Sequence, residues 1–194
     1  RHDSNPYTGA AVTREDVIRD LQLMKESNVN AIRTSHYPNA PYFPELCSEY
    51  GFYMIAEADL ESHGVVTLYT NDGHDCMGYI AQDDAWAESI LDRQKRNVIR
   101  DKNQSAVIFW SLGNESGYGG NFEDAGRWVK AYDPTRLLHY EASFWNSAGY
   151  HNDVSMLDVM SRMYADTEWV KEYCEDRRMR KPFIQCEFIH AMGN

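Results

Sequence analysis

Cysteine is scarce in this sequence, and the few positions it occupies exclude two common uses. No two of the four cysteines have the C-x-x-C spacing typical of zinc sites and redox motifs; they are Cys47, Cys76, Cys174 and Cys186. The sequence also lacks a signal peptide and any apolar run long enough to span a membrane. We therefore expect reduced thiols and a cytoplasmic location.

Basic residues are too few to balance the acidic ones. The chain has 19 lysines and arginines against 30 aspartates and glutamates, which gives a formal net charge of −11. Such a charge repels the phosphates of nucleic acids and the headgroups of anionic lipids, so we expect no nucleic acid and no membrane as a partner. An initiating methionine is also lacking. We expect a chain that begins at Arg1 to be a segment of a longer, multidomain protein.

Short apolar runs, by contrast, are frequent and alternate with amphipathic stretches. The runs are typical of strands buried on both faces of a parallel sheet. Strands are predicted at residues 31–34, 52–56, from 107 onwards, and at 137–140, 158–164 and 183–187. Helices are predicted at residues 13–28, 44–50, 84–100, 119–132 and 167–178. This alternation predicts an α/β fold with a parallel barrel.

Two of these runs end in a glutamate. The run VIFWSLGNESG leads to Glu115, and the run FIQCE ends at Glu187, which lies 187 − 115 = 72 residues further on. The carboxyl ends of barrel strands form one face, and that face carries the chemistry of such enzymes. Either glutamate alone is more simply explained as a surface or salt-bridged residue. Two glutamates at buried strand ends of one barrel instead indicate glycoside hydrolysis.

Other polar residues follow strands at the same predicted face. Arg33 and His36 lie at the end of the 31–34 strand, because Pro38 cannot donate a backbone hydrogen bond and so prevents the strand from continuing. Glu61 and His63 lie two residues apart in the next such loop, and carboxylate and imidazole groups there would suit a divalent cation. The simpler alternative for His63 is a hydrogen bond within its own loop.

Four segments carry a resemblance to a known family. They are NAIRTSHYPN, EADLESHG, VIFWSLGNESG and CEFIHAMGN, and each falls at a predicted strand end. Together they resemble glycoside hydrolase family 2, and within it the large bacterial β-galactosidases. The resemblance implies a (β/α)8 TIM barrel, present here from the end of its first strand through its seventh. Residues 1–194 are then a partial catalytic domain, which we expect to be inactive in isolation.

The resemblance also implies roles for individual residues. Glu115 takes the position of the acid/base and Glu187 that of the nucleophile, in a retaining enzyme that hydrolyses terminal β-D-galactosides such as lactose by double displacement. Tyr164 resembles the tyrosine that hydrogen-bonds the nucleophile, and Arg33 the arginine that holds its charge. The remaining matches to the galactose pocket are His2, His36, Asn114 and His190. Trp110 and Trp128 are expected to pack in the barrel and are left out of the site.

Ions and assembly follow from the same resemblance. It implies Mg²⁺ bound by Glu61, His63 and Glu115, where the ion acts electrostatically on the acid/base. It also allows Na⁺, whose ligands are not identifiable in this segment. The parent enzyme is expected to be a homo-oligomer that binds a β-galactoside substrate.

Two alternative functions stay open at this point. A β-glucuronidase or β-mannosidase of the same family would share both glutamates and the Asn-Glu pair, although the SHYP turn, the ESH loop and the HAMGN tail favour a galactosidase. A non-catalytic carbohydrate-binding barrel would keep the fold and turn over nothing.

Overall fold

The structure is a computed structural model that describes residues 1–65, 78–144, 151–177 and 179–190. Residues 66–77, and all of the HAMGN segment after His190, lie outside these ranges. Within the described part of the chain, no helix is both long enough and apolar enough to cross a membrane.

Six strands and six α-helices alternate along the described residues. The strands are β1 (Ala31–Arg33), β2 (Tyr53–Glu57), β3 (Val107–Ser111), β4 (Leu137–His139), β5 (Met160–Met163) and β6 (Phe183–Glu187). The helices are α1 (Arg14–Glu26), α2 (Phe43–Tyr50), α3 (Tyr79–Gln82), α4 (Ala87–Asp101), α5 (Gly120–Tyr132) and α6 (Thr167–Glu175). Two 3₁₀ helices, Asp84–Trp86 and Glu141–Phe144, complete the order.

Every strand pair among the described residues is parallel. Strands β1 to β4 form one sheet in chain order, and β5 pairs with β6 in a second. Chain order within the sheet, with helices between successive strands, is the arrangement of a singly wound barrel wall. The parallel α/β arrangement predicted from the sequence is confirmed.

Local sequence explains where several elements begin and end. Thr13 and Asp16 form a capping box that satisfies orphan amides at the start of α1. Gly51 ends α2 in the left-handed conformation, with φ of 71°. Several predicted bounds were wrong by one to three residues; the larger differences are that β5 begins at Met160 instead of residue 158, α1 ends at Glu26 instead of residue 28, and α6 ends at Glu175 instead of residue 178.

The hydrophobic core lies between the first sheet and the helices that cover it. Leu112 and Leu138 pack there with Phe122, Val129 and Tyr140, all fully buried, and the rings of Phe122 and Tyr140 stack with centroids 4.6 Å apart. Burying one such side chain contributes about 1.5–3 kcal/mol to folding. Replacing Leu138 by alanine would therefore cost roughly 2–5 kcal/mol, because a cavity would also remain.

The opposite face of the strands carries polar residues into the barrel interior. Successive side chains of a strand point to opposite faces, so Trp110 and Leu138 face the helices while the next residue of each strand faces inward. The register pairs Glu57 with Ser111 and Ser111 with His139. We call the inward-facing set the inner polar layer; its members are Arg33, Glu57, Ser111, His139 and Ser161.

Candidate active site

An open pocket of about 700 Å³ lies at the carboxyl ends of the strands, above the inner polar layer. Both predicted catalytic glutamates line it. Six other residues from the predicted set reach the same pocket: His2, His36, Glu61, His63, Tyr164 and His190. Its wall also includes Ser35, Cys186, Phe188 and Ile189.

Glu115 is presented by a tight turn after β3. Gly113 has φ of 138°, and a Cβ atom there would lie 2.6 Å from the Leu60 carbonyl oxygen, so only glycine fits. The Asn114 amide donates to that same carbonyl oxygen at 2.8 Å, which ties the turn to the neighbouring loop. Glu115 itself has φ of 35°. The turn thus holds the Glu115 carboxyl toward the pocket.

The surroundings of Glu115 favour its protonated form. Partial burial raises the pKa of this carboxyl, and the nearby charges of Glu61 and Glu187 raise it further. The imidazole of His63 acts in the opposite direction, with Nδ1 3.0 Å from Glu115 Oε2, without reversing the shift. Glu115 therefore has the character of a proton donor.

Glu187, the last residue of β6, has the opposite character. Burial alone would raise its pKa, but hydrogen bonds from Tyr164 and Arg33 and the charge of Arg33 more than offset burial, so the pKa is lowered. Arg33 Nη1 donates to Glu187 Oε1 at 2.8 Å, and the Tyr164 hydroxyl donates to Oε2 at 2.6 Å. Both oxygens of the ionised carboxylate thus have a donor.

Arg33 connects Glu187 to the inner polar layer. Its Nε and Nη2 donate to the two oxygens of Glu57 at 2.6 and 3.0 Å, and Nη2 also donates to Asn114 Oδ1 at 2.8 Å. Burial of Glu57 opposes ionisation, but Arg33 together with hydrogen bonds from His36 and Ser111 outweighs it and lowers the Glu57 pKa. Sequence reasoning missed Glu57, although it ends a predicted strand as Glu187 does.

The three predicted pocket histidines lie together. His36 Nδ1 is 2.8 Å from Glu57 Oε1, and its Nε2 is 3.7 Å from Glu187 Oε1. The ring of His2 meets that of His36 edge-on, with centroids 5.4 Å apart. His190 Nδ1 lies 2.7 Å from the Tyr164 hydroxyl. Each imidazole is therefore placed where it can reach a polar ligand in the pocket.

A possible cation site lies on one side of the same pocket. One ligand atom from each of Glu61, His63 and Glu115 lies within 4.8 Å of the others. Asn114 Nδ2 donates to Glu61 Oε2 at 2.6 Å and so orients that carboxylate. Two carboxylates and an imidazole on an exposed rim leave room for water ligands, which fits a hard divalent cation.

Glu141 is a further carboxyl, beside Glu57, that sequence reasoning did not assign to the site. It lies two residues after the end of β4, at the start of a 3₁₀ helix, and is 2% exposed. Within the described residues its Oε2 atom has no hydrogen-bond partner. Burial raises the pKa of Glu141 to about 7, and the charges of Glu115 and Glu187 add to the effect, whereas the Met163 amide and Arg33 oppose it. The only signal in the sequence was another strand that ends in glutamate.

The two tryptophans left out of the site lie away from the pocket lining. Trp110 is buried on the helix side of β3, where its Nε1 donates to Asp133 Oδ2 at 2.9 Å. Trp128 stacks on Tyr132 in α5, with ring centroids 4.9 Å apart. Both pack in the wall of the barrel, as expected.

Comparison with known sequences identifies the family. The sequence model described as "Glycosyl hydrolases family 2, TIM barrel domain" matches residues 1–194. The chain belongs to glycosyl hydrolase family 2. The family resemblance and the (β/α)8 barrel, here covered in part, are thereby confirmed, and in this family Glu115 and Glu187 stand on the face where barrel enzymes place their chemistry.

Relatives within family 2 are similar over the whole chain. Proteins named β-galactosidase from Actinobacillus pleuropneumoniae and Staphylococcus xylosus are 49% and 44% identical to it, over 215 and 194 residues. Both alignments cover 100% of this chain but only 21% and 20% of those relatives. The chain thus spans about a fifth of the length of the curated relatives it matches.

Solved structures of proteins named β-glucuronidase share the fold. A β-D-glucuronidase from Dictyoglomus thermophilum superposes with a TM-score of 0.73 at 26% identity, covering 96% of this chain and 35% of that one. A Ruminococcus gnavus β-glucuronidase gives a TM-score of 0.74 at 20% identity, covering 96% and 36%. The second likeness, at that identity, bears on the fold alone.

Proposed function

We propose that the protein carrying this chain is a retaining β-galactosidase in which Glu115 is the acid/base and Glu187 the nucleophile. One observation carries the proposal: two glutamates line one pocket, and their surroundings shift their pKa values in opposite directions. A retaining glycosidase requires this division, because one carboxyl must give a proton while the other attacks as an anion.

The reaction proceeds in two displacements. In the first, a Glu187 oxygen forms a bond to the anomeric carbon while the glycosidic bond breaks, and the proton of Glu115 moves to the departing oxygen. In the second, Glu115 takes a proton from water, the water oxygen bonds to the anomeric carbon, and the bond to Glu187 breaks. Two inversions leave the sugar in its original β configuration.

Arg33 and Tyr164 keep the nucleophile ionised and fix its direction. Each donates to a different oxygen of Glu187, at 2.8 and 2.6 Å, so the carboxylate cannot rotate freely. Burial opposes the charge on Glu187, but the hydrogen bonds from Tyr164 and Arg33 and the charge of Arg33 more than offset it. Hydrogen-bonding to Glu187 raises the pKa of Tyr164 to about 12, so the phenol stays protonated and continues to donate.

The sugar would be held by imidazole and amide groups. His2, His36 and His190 line the pocket and suit the hydroxyls of a neutral sugar. The family resemblance assigns the sugar 2-hydroxyl to Asn114, whose amide is held by Arg33 and Glu61 just below the pocket lining. Contacts to that hydroxyl strengthen in the transition state of glycosidases.

A neutral galactoside suits this pocket better than a glucuronide. A uronate carboxylate needs a cationic partner, whereas the pocket lining contains no lysine or arginine among the described residues and presents, beside its imidazoles, the carboxyl groups of Glu61, Glu115 and Glu187. Arg33 lies below them and is already shared between Glu57 and Glu187. The β-galactosidase relatives at 49% and 44% identity support the same choice.

Mg²⁺ belongs to the proposal as a resident ion. Glu61, His63 and Glu115 would hold it, and bound there it would supply positive charge beside the acid/base. Asn114 contributes by orienting Glu61. The family resemblance also allows Na⁺, for which we assign no ligands in this chain.

A panel of nitrophenyl glycosides tests the proposal with the complete protein that carries this chain. We expect kcat/KM for the β-galactoside to exceed that for the β-glucuronide and the β-mannoside by roughly a hundredfold or more. If kcat/KM is higher for the β-glucuronide or the β-mannoside, that glycoside is the substrate, and the proposed two-glutamate mechanism still stands. If no glycoside is cleaved, and neither Glu115→Gln nor Glu187→Gln changes any rate, the protein is a non-catalytic carbohydrate-binding barrel.

A further inference from the structure

A histidine that the proposed reaction does not use lies beneath the pocket. His139, at the end of β4, is fully buried, and both of its ring nitrogens are hydrogen-bonded. Nδ1 lies 2.9 Å from Ser111 Oγ, and Nε2 lies 2.8 Å from Ser161 Oγ. Because it belongs to the inner polar layer, it does not line the pocket where substrate would bind.

The hydrogen-bond directions around His139 follow from its neighbours. Ser111 has one hydroxyl proton, which it donates to Glu57 Oε2 at 2.7 Å, since an ionised carboxylate only accepts. Ser111 Oγ must therefore accept from His139, which places a proton on Nδ1. Burial and the nearby charge of Arg33 lower the pKa of His139 to about 4, so Nε2 is unprotonated and accepts from Ser161.

This imidazole also joins two sheets between which the described residues form no strand ladder, although the Asp158 amide just before β5 donates to the Leu138 carbonyl of β4 at 2.9 Å. Ser111 belongs to β3 in the first sheet, whereas Ser161 belongs to β5 in the second. The proposed nucleophile, Glu187, is on β6 of the second sheet, but the Arg33 that holds it is on β1 of the first. The distance between Arg33 and Glu187 therefore depends on how the two sheets are placed relative to each other.

We propose that His139 is a positioning residue for Glu187, acting as a neutral two-sided link that locks the second sheet against the Ser111–Glu57–Arg33 chain of the first. This inference rests on the proposed function, because it assigns His139 a task in aligning that nucleophile. Side-chain bonds connect every step: Ser161 to His139, His139 to Ser111, Ser111 to Glu57, Glu57 to Arg33, and Arg33 to Glu187.

The inner polar layer explains why a histidine suits this position. The link needs a donor toward Ser111 and an acceptor toward Ser161, and a neutral imidazole supplies one of each in a rigid ring. The charged side chains that face it are Arg33 from β1 and Glu57 from β2. An apolar ring of similar size would fill the volume but break both bonds, so that Ser111 would lose its donor and Ser161 its imidazole acceptor.

Three variants of the complete protein test the inference. His139→Phe removes both hydrogen bonds, and His139→Gln retains one donor and one acceptor. Trp110→Phe is the matched control, because it removes a buried hydrogen bond on the helix side of β3, away from the chain to Glu187. The measurements are the rate of covalent labelling of Glu187 by a 2-fluoro galactoside, kcat and KM for nitrophenyl galactoside, and the pH profile of kcat/KM.

The inference predicts a specific pattern. His139→Phe lowers the labelling rate and kcat by about tenfold, leaves KM within about threefold, and moves the acid limb of the profile to higher pH, because Glu187 loses part of its hold on Arg33. His139→Gln restores the rates to within about threefold of the parent. Trp110→Phe changes stability without moving the acid limb.

Other results would overturn it. If His139→Phe behaves as Trp110→Phe does, the histidine is only part of the packing. If His139→Phe does not fold, Ser161→Ala decides: a lower labelling rate with the same shift of the acid limb supports the link, and an unchanged limb refutes it. Failure of the proposed function is distinct, since the parent itself would then not be labelled or cleave the galactoside.

Discussion

Glu115 and Glu187 carry the same side chain but lie in opposed surroundings. Glu115 is partly buried and lies near the carboxylates of Glu61 and Glu187. Its pKa is raised in spite of the neighbouring His63 imidazole. Around Glu187, an arginine and a phenol each donate to one oxygen, and its pKa is lowered although it too is partly buried. Position in the barrel, and not residue type, thus separates a proton donor from a nucleophile.

The difference has a structural origin in which strand each residue follows. Glu115 leaves β3 through a glycine turn that lifts it into the loops, where its neighbours come from the Glu61–His63 segment. Glu187 is still part of β6, so it stays within reach of the buried Arg33. Glu115, in the turn after β3, therefore lies beside charged residues of the loops. Glu187, still within β6, lies beside the inner polar layer.

The largest expected effect comes from removing the nucleophile. Glu187→Gln keeps the size of the side chain but replaces the attacking carboxylate, so we expect kcat in the complete protein to fall by at least about 10⁴-fold on every substrate. Steady-state hydrolysis of nitrophenyl galactoside measures it. The control Glu49→Gln, in α2 on the outer surface, should match the parent, and a Glu187→Gln variant that keeps a tenth of parental turnover contradicts the assignment.

Removing the acid/base should have a smaller effect that depends on the leaving group. Glu115→Gln should lower kcat/KM by roughly 10²–10⁴-fold for an alkyl galactoside but far less for dinitrophenyl galactoside, which departs with little acid help. Added azide should restore turnover by forming galactosyl azide. An equal loss on both substrates with no effect of azide would erase the proposed contrast between the two glutamates.

Removing a hydrogen bond to Glu187 should shift the pH dependence of kcat/KM. Tyr164→Phe removes a hydrogen bond that lowers the Glu187 pKa, so that pKa rises and the acid limb of kcat/KM moves to higher pH. We expect about a tenfold loss of kcat at the pH optimum. Tyr173→Phe, whose lost hydroxyl donates to the Lys181 carbonyl in the helix layer, is the control and should leave the limb in place.

Removing Mg²⁺ should alter only the Glu115 side of the comparison. We expect chelation to lower kcat by a few-fold and added Mg²⁺ to restore it, because the ion contributes electrostatically. Glu61→Gln should weaken the response to Mg²⁺ more than His63→Ala, since a hard cation gains more from a carboxylate than from an imidazole. Equal Mg²⁺ affinity in the parent and both variants, by calorimetry, would remove the metal site from the proposal.

Glu141 is a buried carboxyl that has no ion-pair partner in the part of the chain that the structure describes, and its replacement should affect activity least. Its folded pKa of about 7 exceeds the ordinary value of 4.5, so its contribution to stability is full below pH 4.5 and is lost as pH rises through 7. Glu141→Gln cannot ionise, so it should escape a loss on the order of 3 kcal/mol between these pH values. Urea unfolding at pH 5 and pH 8 measures the difference; parallel pH dependence in parent and variant contradicts it.

Much of the fold and the visible part of the site could be predicted from local pattern. Apolar runs closed by turn residues located all six strands of the described residues, and their polar ends pointed to Glu115 and Glu187, whereas the three pocket histidines came from the family resemblance. This works because parallel strands bring their carboxyl ends to one face whatever their exact neighbours are. The capping box of Thr13 and the left-handed Gly51 are likewise local, and both agree with the structure.

The buried supports of the site could not be predicted in this way. Glu57 ends β2 as Glu187 ends β6, and Glu141 comes two residues after β4; among the described residues Glu57 is held ionised by Arg33, whereas Glu141 lacks such a partner. That distinction depends on register between strands more than 20 residues apart in sequence, which periodicity does not report. His139 is inconspicuous for the same reason, because its partners lie on β3 and β5.

The most direct test of the central claim is to identify the residue that a 2-fluoro galactoside labels in the complete protein. The fluorine slows the second displacement more than the first when the leaving group is good, so the covalent intermediate accumulates. Mass spectrometry of the digested protein should place one fluorogalactosyl group on Glu187 and none on Glu115. A label on Glu115, or on any residue outside the pocket, would contradict the assignment of the two glutamates.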